Sequence, residues 1–375
     1  MSLQYLAEAL DLARQGAGRT SPNPAVGAIL VRDGEIVGRG YHTWSGVKHA
    51  EMVALEQAGE SARGAALFTT LEPCSHQGRT GSCAEALIRA GVARVVVILQ
   101  DPNPLVAGRG LAMLRDAGIE VEIDAALAHE AEAMNAPYFH FMRTGRPLVT
   151  LKSALTLDGK IAAPEDNSGW ITSERARAHV QQMRHMSDAI MTGIGTVLAD
   201  DCQLTDRSGL ERSRPLLRIV LDSQLRIPLT SKMVQACVGD LLMVCTSVAP
   251  SSRRKALEER GVEVLVADRQ GGRTNLSAVV EELARRKYLS LMIEAGSKVN
   301  WAALEDGVAD KIFFYYAPKI LGGLQSLPVA GGIGRRRRID AIQLRDICLH
   351  VVTPDEFAVE ATVIKGLVSK PAVVK

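Results

Sequence analysis

Residues 65–99 read AALFTTLEPCSHQGRTGSCAEALIRAGVARVVVIL, and the order of elements in this stretch decides the fold class. Ala65 to Thr70 is a short apolar run of strand type, and a polar loop of Pro, Cys, Ser, His and Gly follows it. A helical pattern then covers about Ser82 to Ala90, and Arg94 to Leu99 is a strongly apolar strand. Strands alternating with helices imply a layered α/β unit with a partly parallel sheet.

The flanks extend the pattern. Upstream, Leu3, Leu6, Leu10 and Ala13 keep helical spacing and stop near Gly16 and Gly18. Val26 to Val31 and Glu35 to Gly38 flank Asp33-Gly34, a hairpin signal. A short helix after His49 ends near Gly59. Downstream come a helix over Leu105 to Ala117, a strand at Ile119 to Ile123 and a helix bearing Tyr138, Phe139 and Phe141. Arg143 to Pro147 stacks charges and turn formers, so a linker is expected there, with one domain over 1–145 and a second over 146–375.

Strands are expected in the second unit at Leu148 to Ala154, Asp188 to Thr192, Leu217 to Asp222, Leu241 to Cys245, Val262 to Val266, Leu289 to Glu294 and Lys311 to Ala317. Two more are expected near 347–353 and 357–364, and helices at about 173–186, 251–260, 275–287 and 298–306 separate several of them. This unit is α/β as well, and no internal repeat is visible.

Bulk properties narrow the function. The chain has 375 residues, 47% hydrophobic and 23% charged, the profile of a globular protein large enough for two domains. Forty-four basic against 42 acidic residues leave +2, which argues against nucleic-acid or membrane-surface binding and favours a small-molecule partner. No apolar run reaches the length of a spanning helix, and the start MSLQYLAEALDLARQG lacks the basic region and cleavage site of a signal peptide. A cytoplasmic location is expected. Six cysteines (74, 83, 202, 237, 245 and 348) are too sparse for a disulfide framework.

Two of them join the sharpest local signal. His49, Cys74 and Cys83 form a one-imidazole, two-thiolate set for Zn²⁺, and three protein ligands leave a fourth position for water. Zinc lowers the pKa of such a water toward ~7, giving hydroxide at neutral pH. Glu51, two residues from a ligand, is placed to move protons. Positions i and i+2 diverge on a regular helix, so His49 must sit at the helix start, and Cys83 likewise precedes a helix. Both positive helix ends would then favour thiolate. The pattern matches the nucleobase-deaminase signature, H-x-E with P-C-x-x-C, except that eight residues separate the cysteines. Plain burial of the cysteines, or a closed structural zinc, are the competing readings.

The strings Ser21-Pro-Asn-Pro-Ala-Val-Gly27, His49-Ala-Glu51, Glu72-Pro-Cys-Ser-His-Gln-Gly-Arg-Thr80 and Asp101-Pro-Asn-Pro104 resemble the bifunctional deaminase-reductase of bacterial riboflavin biosynthesis. The resemblance continues through Leu157-Asp-Gly159, Trp170-Ile-Thr-Ser173, Gly195-Thr-Val-Leu-Ala-Asp-Asp201 and Glu294-Ala-Gly296. Gly81-Ser82 and Ser297-Lys298 depart from the usual pattern.

The resemblance implies a cytidine-deaminase-like three-layer α/β/α first domain and a dihydrofolate-reductase-like α/β second domain with a mixed sheet. It implies hydrolytic removal of the 2-amino group of a diamino-pyrimidinone carrying a phosphoribosylamino group, then reduction of ribosyl to ribityl by NADPH. Zinc is held by His49, Cys74 and Cys83, with Glu51 as proton donor. Asn23, His42, His76 and Arg79 are implied substrate contacts of the first site, each also readable as a loop-stabilising hydrogen-bonder, and Ser168, Arg184, Leu204, Arg207 and Glu294 are implied contacts of the second.

Cofactor contacts are implied at Ala154, Trp170, Thr196, Asp200, Ser223 and the turn Gly296, Ser297, Lys298, Val299, Asn300, Trp301 and Ala302. A homo-oligomer, with neither nucleic acid nor membrane as partner, is implied too. Without the resemblance the second unit is hard to read, because Leu198 stands where the dinucleotide fingerprint begun by Gly193-Ile-Gly195 needs its third glycine. Arg184 and Arg207 suit a phosphate monoester, although a surface salt bridge is the ordinary reading of either. Trp170 is readable as a core aromatic, and Asp200 and Asp201 as helix caps. Glu294, expected at a strand's carboxyl end, is the candidate proton donor for reduction.

Two rivals remain: a deaminase of free or RNA-borne bases joined to a pterin-type reductase, and an RNA-binding protein with structural zinc that uses Arg335 to Arg338. Six Tyr, six Phe and three Trp offer few stacking platforms for the latter. The arginine run follows Ala330-Gly-Gly-Ile-Gly334, and a solvated loop accounts for it.

Overall fold

The computed structural model describes residues 2–43, 48–75, 81–165, 168–269 and 272–365. Two compact units emerge: residues up to Arg146 together with Glu211–Arg214, and Pro147–Leu210 together with the residues from Pro215 onward. The return of Glu211–Arg214 to the first unit was not foreseen in the sequence.

The first unit runs α1 (Ser2–Gly16), β1 (Gly27–Arg32), β2 (Glu35–Tyr41), α2 (Ala50–Ala58), β3 (Ala66–Leu71), α3 (Cys83–Ala90), β4 (Arg94–Leu99), α4 (Arg109–Asp116), β5 (Glu120–Ile123), α5 (Ala128–Met134) and α6 (Ala136–Thr144). Its five strands lie in the order β2-β1-β3-β4-β5. The β1 pairings are antiparallel, while β3, β4 and β5 run parallel. Asp33 and Gly34 both have positive φ (54° and 83°), as the mirror-image two-residue hairpin turn requires.

One apolar cluster on the sheet takes in Leu6, Ala9 and Leu10 of α1 and Ala131 of α5. Another takes in Ala50 and Ala54 of α2, Ala84 and Leu87 of α3, and Leu111 and Leu114 of α4. Three layers, helices over each face of one sheet, follow from these two clusters.

The helix expected from Leu105 begins four residues late. Asn103 Oδ1 accepts the Leu105 N–H at 3.0 Å and Gly108 turns left-handed, which hold 103–108 in turns. Helix α5 was also missed, being short and without a strong apolar period.

Strand β2 lies unusually close to α2. A Cβ on Gly38 would stand 2.2 Å from Ala54 O, and one on Gly40 2.1 Å from Ala50 O. Only glycine fits there, and Ala50 lies between His49 and Glu51. Gly40→Ala is therefore expected to destabilise the first unit by about 1–3 kcal/mol, the range for overpacking, and to lower zinc retention with it. Thermal unfolding with zinc quantitation checks this, and an unchanged midpoint contradicts it.

The second unit runs β6 (Leu148–Thr156), β7 (Lys160–Ala162), α7 (Glu174–Met186), β8 (Ala189–Gly193), α8 (Ile194–Asp200), β9 (Leu217–Leu221), α9 (Lys232–Gln235), β10 (Leu241–Cys245), α10 (Ser251–Glu258) and β11 (Glu263–Val266). Then come β12 (Asp268–Arg269), β13 (Arg273–Thr274), α11 (Leu276–Arg285), β14 (Ser290–Ile293), α12 (Ser297–Glu305), β15 (Lys311–Ala317), β16 (Leu327–Pro328), β17 (Leu344–Thr353) and β18 (Glu356–Val363).

Nine strands form one sheet in the order β11-β10-β9-β8-β14-β6-β15-β18-β17. It is parallel from β11 to β15, and β18 and β17 add antiparallel at one edge. Apolar clusters built with α11 and α12, and with α8, α9 and α10, make up its principal cores. After β8 the chain moves toward β9, and after β14 it moves the other way toward β15. The crevice at the carboxyl ends of β8 and β14 is thus a topological switch point, where open α/β sheets take their ligands.

Candidate metal centre and cofactor crevice

His49 is the N-cap of α2 with extended backbone (φ −70°, ψ 158°), so the i, i+2 obstacle disappears and Glu51 enters the first helical turn at the same site. Cys83 opens α3, capped by Ser82, whose Oγ also donates to Cys74 O at 2.9 Å. The Cys83 N–H faces Cys74 Sγ at 3.4 Å, so the positive end of α3 reaches that sulfur.

His49 Nδ1 lies 3.5 Å from Cys74 Sγ and 3.3 Å from Cys83 Sγ, and the three ligand atoms fall within 4.8 Å of one another. With Zn–S of about 2.3 Å and Zn–N of about 2.0–2.1 Å, a tetrahedral N–Zn–S edge is roughly 3.5 Å. The donor set therefore fits a zinc ion in spacing and in chemistry. Among the described residues this is the one cluster of its kind.

The electrostatics agree. The two thiols titrate as a pair: Cys74 is pushed well below the thiol range, because Cys83 hydrogen-bonds to its sulfur and His49 faces it. The second proton is held far above the thiol range by that same bond and by burial, and a dication would displace it. The hydrogen bond to Cys74 pushes His49 up to about 9. Burial pushes Glu51 up to about 7, with His49 opposing, and its carboxyl hydrogen-bonds to Cys83.

His42 is buried and edge-on to His49, with ring centroids 5.3 Å apart. Its Nδ1 donates to Lys48 O at 2.8 Å, which leaves Nε2 as acceptor for Asn23 Nδ2 at 3.2 Å. Burial lowers its pKa, and the ring stays neutral. Asn23 and His42 are thus brought together beside the metal ligands, whereas His76 and Arg79 lie outside the described residues.

Sequence reasoning missed Glu72. This buried carboxylate accepts N–H groups from Gly108 (2.8 Å), Gly110 (2.9 Å), Asp101 (3.2 Å) and Leu111 (3.3 Å), and it fastens the Cys74 loop to the start of α4. The Glu72-Pro-Cys string contained it, but its partners lie about thirty residues or more away in sequence.

At the second site Glu294 follows β14 directly, as expected. Its Oε1 meets Lys152 Nζ at 3.1 Å, and its Oε2 meets Arg184 Nε and Nη2 at 3.2 and 3.0 Å. Burial favours the neutral acid, but Lys152 and Arg184 outweigh it and hold the group at about 2. Glu294 is therefore held as a carboxylate between two cations, which favours a positioning role over that of proton donor. Lys152, in the middle of β6, was not singled out in the sequence.

Arg184 is buried and engaged with Glu294, so neither a surface salt bridge nor an uncommitted phosphate ligand describes it. Its Nη1 donates to Thr205 O at 3.0 Å, which brings buried Leu204 beside it, while Arg207 stays exposed with its N–H on Gln181 Oε1 at 2.9 Å.

Around the β8–β14 crevice, Gly193 caps α8 and Gly296 caps α12. A Cβ on Gly296 would lie 3.8 Å from Thr196 Oγ1, and one on Gly193 2.9 Å from Val299 Cγ2, so the two turns nearly touch. Thr192 Oγ1, Ser297 Oγ and Asn300 Oδ1 are buried with no hydrogen-bond partner among the described residues. Orphaned polar atoms beside two helix starts fit the phosphates and ribose of a dinucleotide. Ser297, Lys298, Val299, Asn300, Trp301 and Ala302 form the first turns of α12.

Asp200 ends α8, and burial raises its pKa. Asp201 is the α8 C-cap, with its carboxylate accepting the Lys232 N–H at 3.0 Å. Ser223 follows β9, Ala154 lies on β6 and Ser168 is exposed. Trp170 is 68% exposed with the Arg177 guanidinium 4.8 Å over its ring, which overturns the core reading. In the arginine run, Arg337 pairs with Asp340 at 2.7 Å and Arg335 lies over Trp301, as in an ordinary surface loop. No helix among the described residues is long and apolar enough to cross a membrane.

A three-ligand zinc set with a buried acid in a three-layer α/β/α unit, and a crevice with orphaned polar atoms at the switch point of a separate α/β unit, fit a two-domain deaminase-reductase. The cytidine and deoxycytidylate deaminase zinc-binding region matches residues 2–99, and the RibD C-terminal domain matches 147–354.

The riboflavin biosynthesis protein RibD of Actinobacillus pleuropneumoniae is 42% identical over 92% of this chain and 90% of its own. That of Escherichia coli (strain K12) is 42% identical over 93% and 98%. Acinetobacter baumannii RibD superposes with a TM-score of 0.86 at 35% identity, covering 97% of this chain and 99% of that one. A Thermotoga maritima diaminohydroxyphosphoribosylaminopyrimidine deaminase/5-amino-6-(5-phosphoribosylamino)uracil reductase gives 0.80 at 32% identity, with the same coverage. The chain belongs to the RibD family of bifunctional riboflavin-biosynthesis enzymes, with a zinc-binding deaminase domain and an NADPH-dependent reductase domain.

Proposed function

We propose that the first unit hydrolytically deaminates 2,5-diamino-6-(5-phosphoribosylamino)pyrimidin-4(3H)-one. The second unit then reduces 5-amino-6-(5-phosphoribosylamino)uracil with NADPH, turning the ribosyl chain into ribityl. The observation that carries this reading is the convergence of His49, Cys74, Cys83 and buried Glu51 in a chain whose other half has a dinucleotide crevice.

His49 Nδ1 and the sulfurs of Cys74 and Cys83 hold zinc, which when bound acidifies a water toward ~7. Glu51 takes a proton from the attacking water and hands it to the departing amine. A C–O bond forms at the 2-carbon, the C–N bond breaks, and ammonia leaves. Neutral His42 fixes Asn23, whose Oδ1 accepts from a ring N–H.

In the second unit NADPH, when bound, would supply a hydride to C1′ while the C1′–O4′ ring bond opens and O4′ takes up a proton from solvent. Thr192, Ser297 and Asn300 would take up cofactor oxygens, and the turns at Gly193 and Gly296 would let its phosphates approach the backbone. Glu294, held between Lys152 and Arg184, positions the sugar hydroxyls, and exposed Arg207 meets the phosphate. The setting is cytoplasmic and the assembly a homo-oligomer.

The test is a coupled assay on the phosphoribosylamino-pyrimidine, reading ammonia release and then NADPH oxidation. Chelation is expected to stop ammonia release while sparing reduction of pre-deaminated substrate. Ammonia release from metal-free protein would overturn the zinc assignment.

A further inference from the structure

We propose that the elbow between α5 and α6 sets substrate fit in the deaminase, with Asn135 and Tyr138 as positioning residues that hold the two loops beside the metal ligands. The inference rests on the deaminase reading above. It concerns a part of the unit beyond residue 99, where the match to the zinc-binding region ends.

Asn135 stands at the N-cap of α6, where an asparagine ordinarily accepts a helix N–H and contributes about 0.5–2 kcal/mol. Here it makes no such bond. Its Oδ1 instead accepts the Ala25 N–H at 2.8 Å, and its Nδ2 donates to Ala25 O at 2.9 Å, all buried. The side chain forgoes local helix stability to clamp both main-chain groups of one residue in a loop 110 residues away. That loop carries Asn23, two residues before the clamp, whose amide meets His42 Nε2.

One helical turn further on, the Tyr138 hydroxyl donates to Asp101 Oδ1 at 2.9 Å and lies 3.2 Å from its Oδ2. Asp101 Oδ1 also accepts the Asn103 N–H at 2.8 Å, and its own N–H goes to Glu72, two residues before Cys74. One rigid elbow therefore holds the Asn23 loop through a bidentate amide and the Asp101 loop through a buried phenol. A shift of either loop by about 1 Å is enough to cost up to a hundredfold in turnover efficiency.

Asn135→Ser isolates the effect, since serine caps a helix but is too short to reach both main-chain groups of Ala25. Tyr138→Phe removes only the hydroxyl. In the zinc-loaded full chain, both are expected to raise the deaminase KM about tenfold or more, following the misplacement argument. Turnover at saturation, zinc per chain and the reductase KM stay near wild-type values.

A wild-type deaminase KM in Asn135→Ser and Tyr138→Phe overturns the proposal. So does a parallel loss of zinc or reductase activity, because the elbow would then be general scaffold. Failure of the wild-type chain to release ammonia from the phosphoribosylamino-pyrimidine overturns the functional reading itself, a result the variants do not mimic.

Discussion

Glu51→Gln is expected to keep its zinc, to lose deamination by about 10²–10⁴-fold, the range of a positioned acid-base group, and to reduce pre-deaminated substrate at the wild-type rate. The carboxyl is buried at the start of α2 and touches Cys83 without belonging to the ligand set, so an amide of the same shape leaves the metal donors in place. What the amide lacks is a proton that can be taken and returned. Burial brings Glu51 to about 7, where a carboxyl exchanges protons readily in either direction. Zinc per chain, ammonia release and NADPH oxidation measured on one preparation separate the three consequences. Near-wild-type ammonia release would remove Glu51 from the mechanism.

Glu294→Gln is expected to damage the other activity. The change leaves Lys152 and Arg184, both buried, facing each other without their carboxylate, and breaking a buried ion pair on one side costs about 3–5 kcal/mol. Reductase efficiency is expected to drop by about a hundredfold, the scale of a misplaced positioning group, with deamination untouched.

The pH dependence gives an independent check. Because the folded-state carboxyl sits at about 2, below its ordinary 4.5, its contribution to stability is complete above 4.5 and fades as pH falls through about 2. The gap in unfolding midpoint between wild type and Glu294→Gln should therefore narrow across that interval. A gap independent of pH would mean that the charge of Glu294 does no stabilising.

What the sequence disclosed and what it withheld follow from range. The hairpin at Asp33-Gly34, the strands at Arg94–Leu99, Leu241–Cys245 and Lys311–Ala317, and the His49, Cys74 and Cys83 set are written in local patterns or a short motif, and the fold presents them as expected. Helices α8 and α9 escaped because seven and four residues are too few to show a period. Lys152 looked like any strand lysine until β14 delivered a carboxylate from 142 residues away. Sequence separation also hid the partners of Glu72 and Asn135, and Trp170 went to the surface where composition alone favours a core.

Each unit is cored by its own apolar clusters, and the two chemistries draw on different cofactors. One polypeptide thus delivers its two activities in fixed one-to-one copy number, whatever the demand for each. Under zinc scarcity the cell would still make a competent reductase on every chain, starved of substrate by the silent half beside it. Metal supply, rather than the amount of protein made, would then set the flow through both steps.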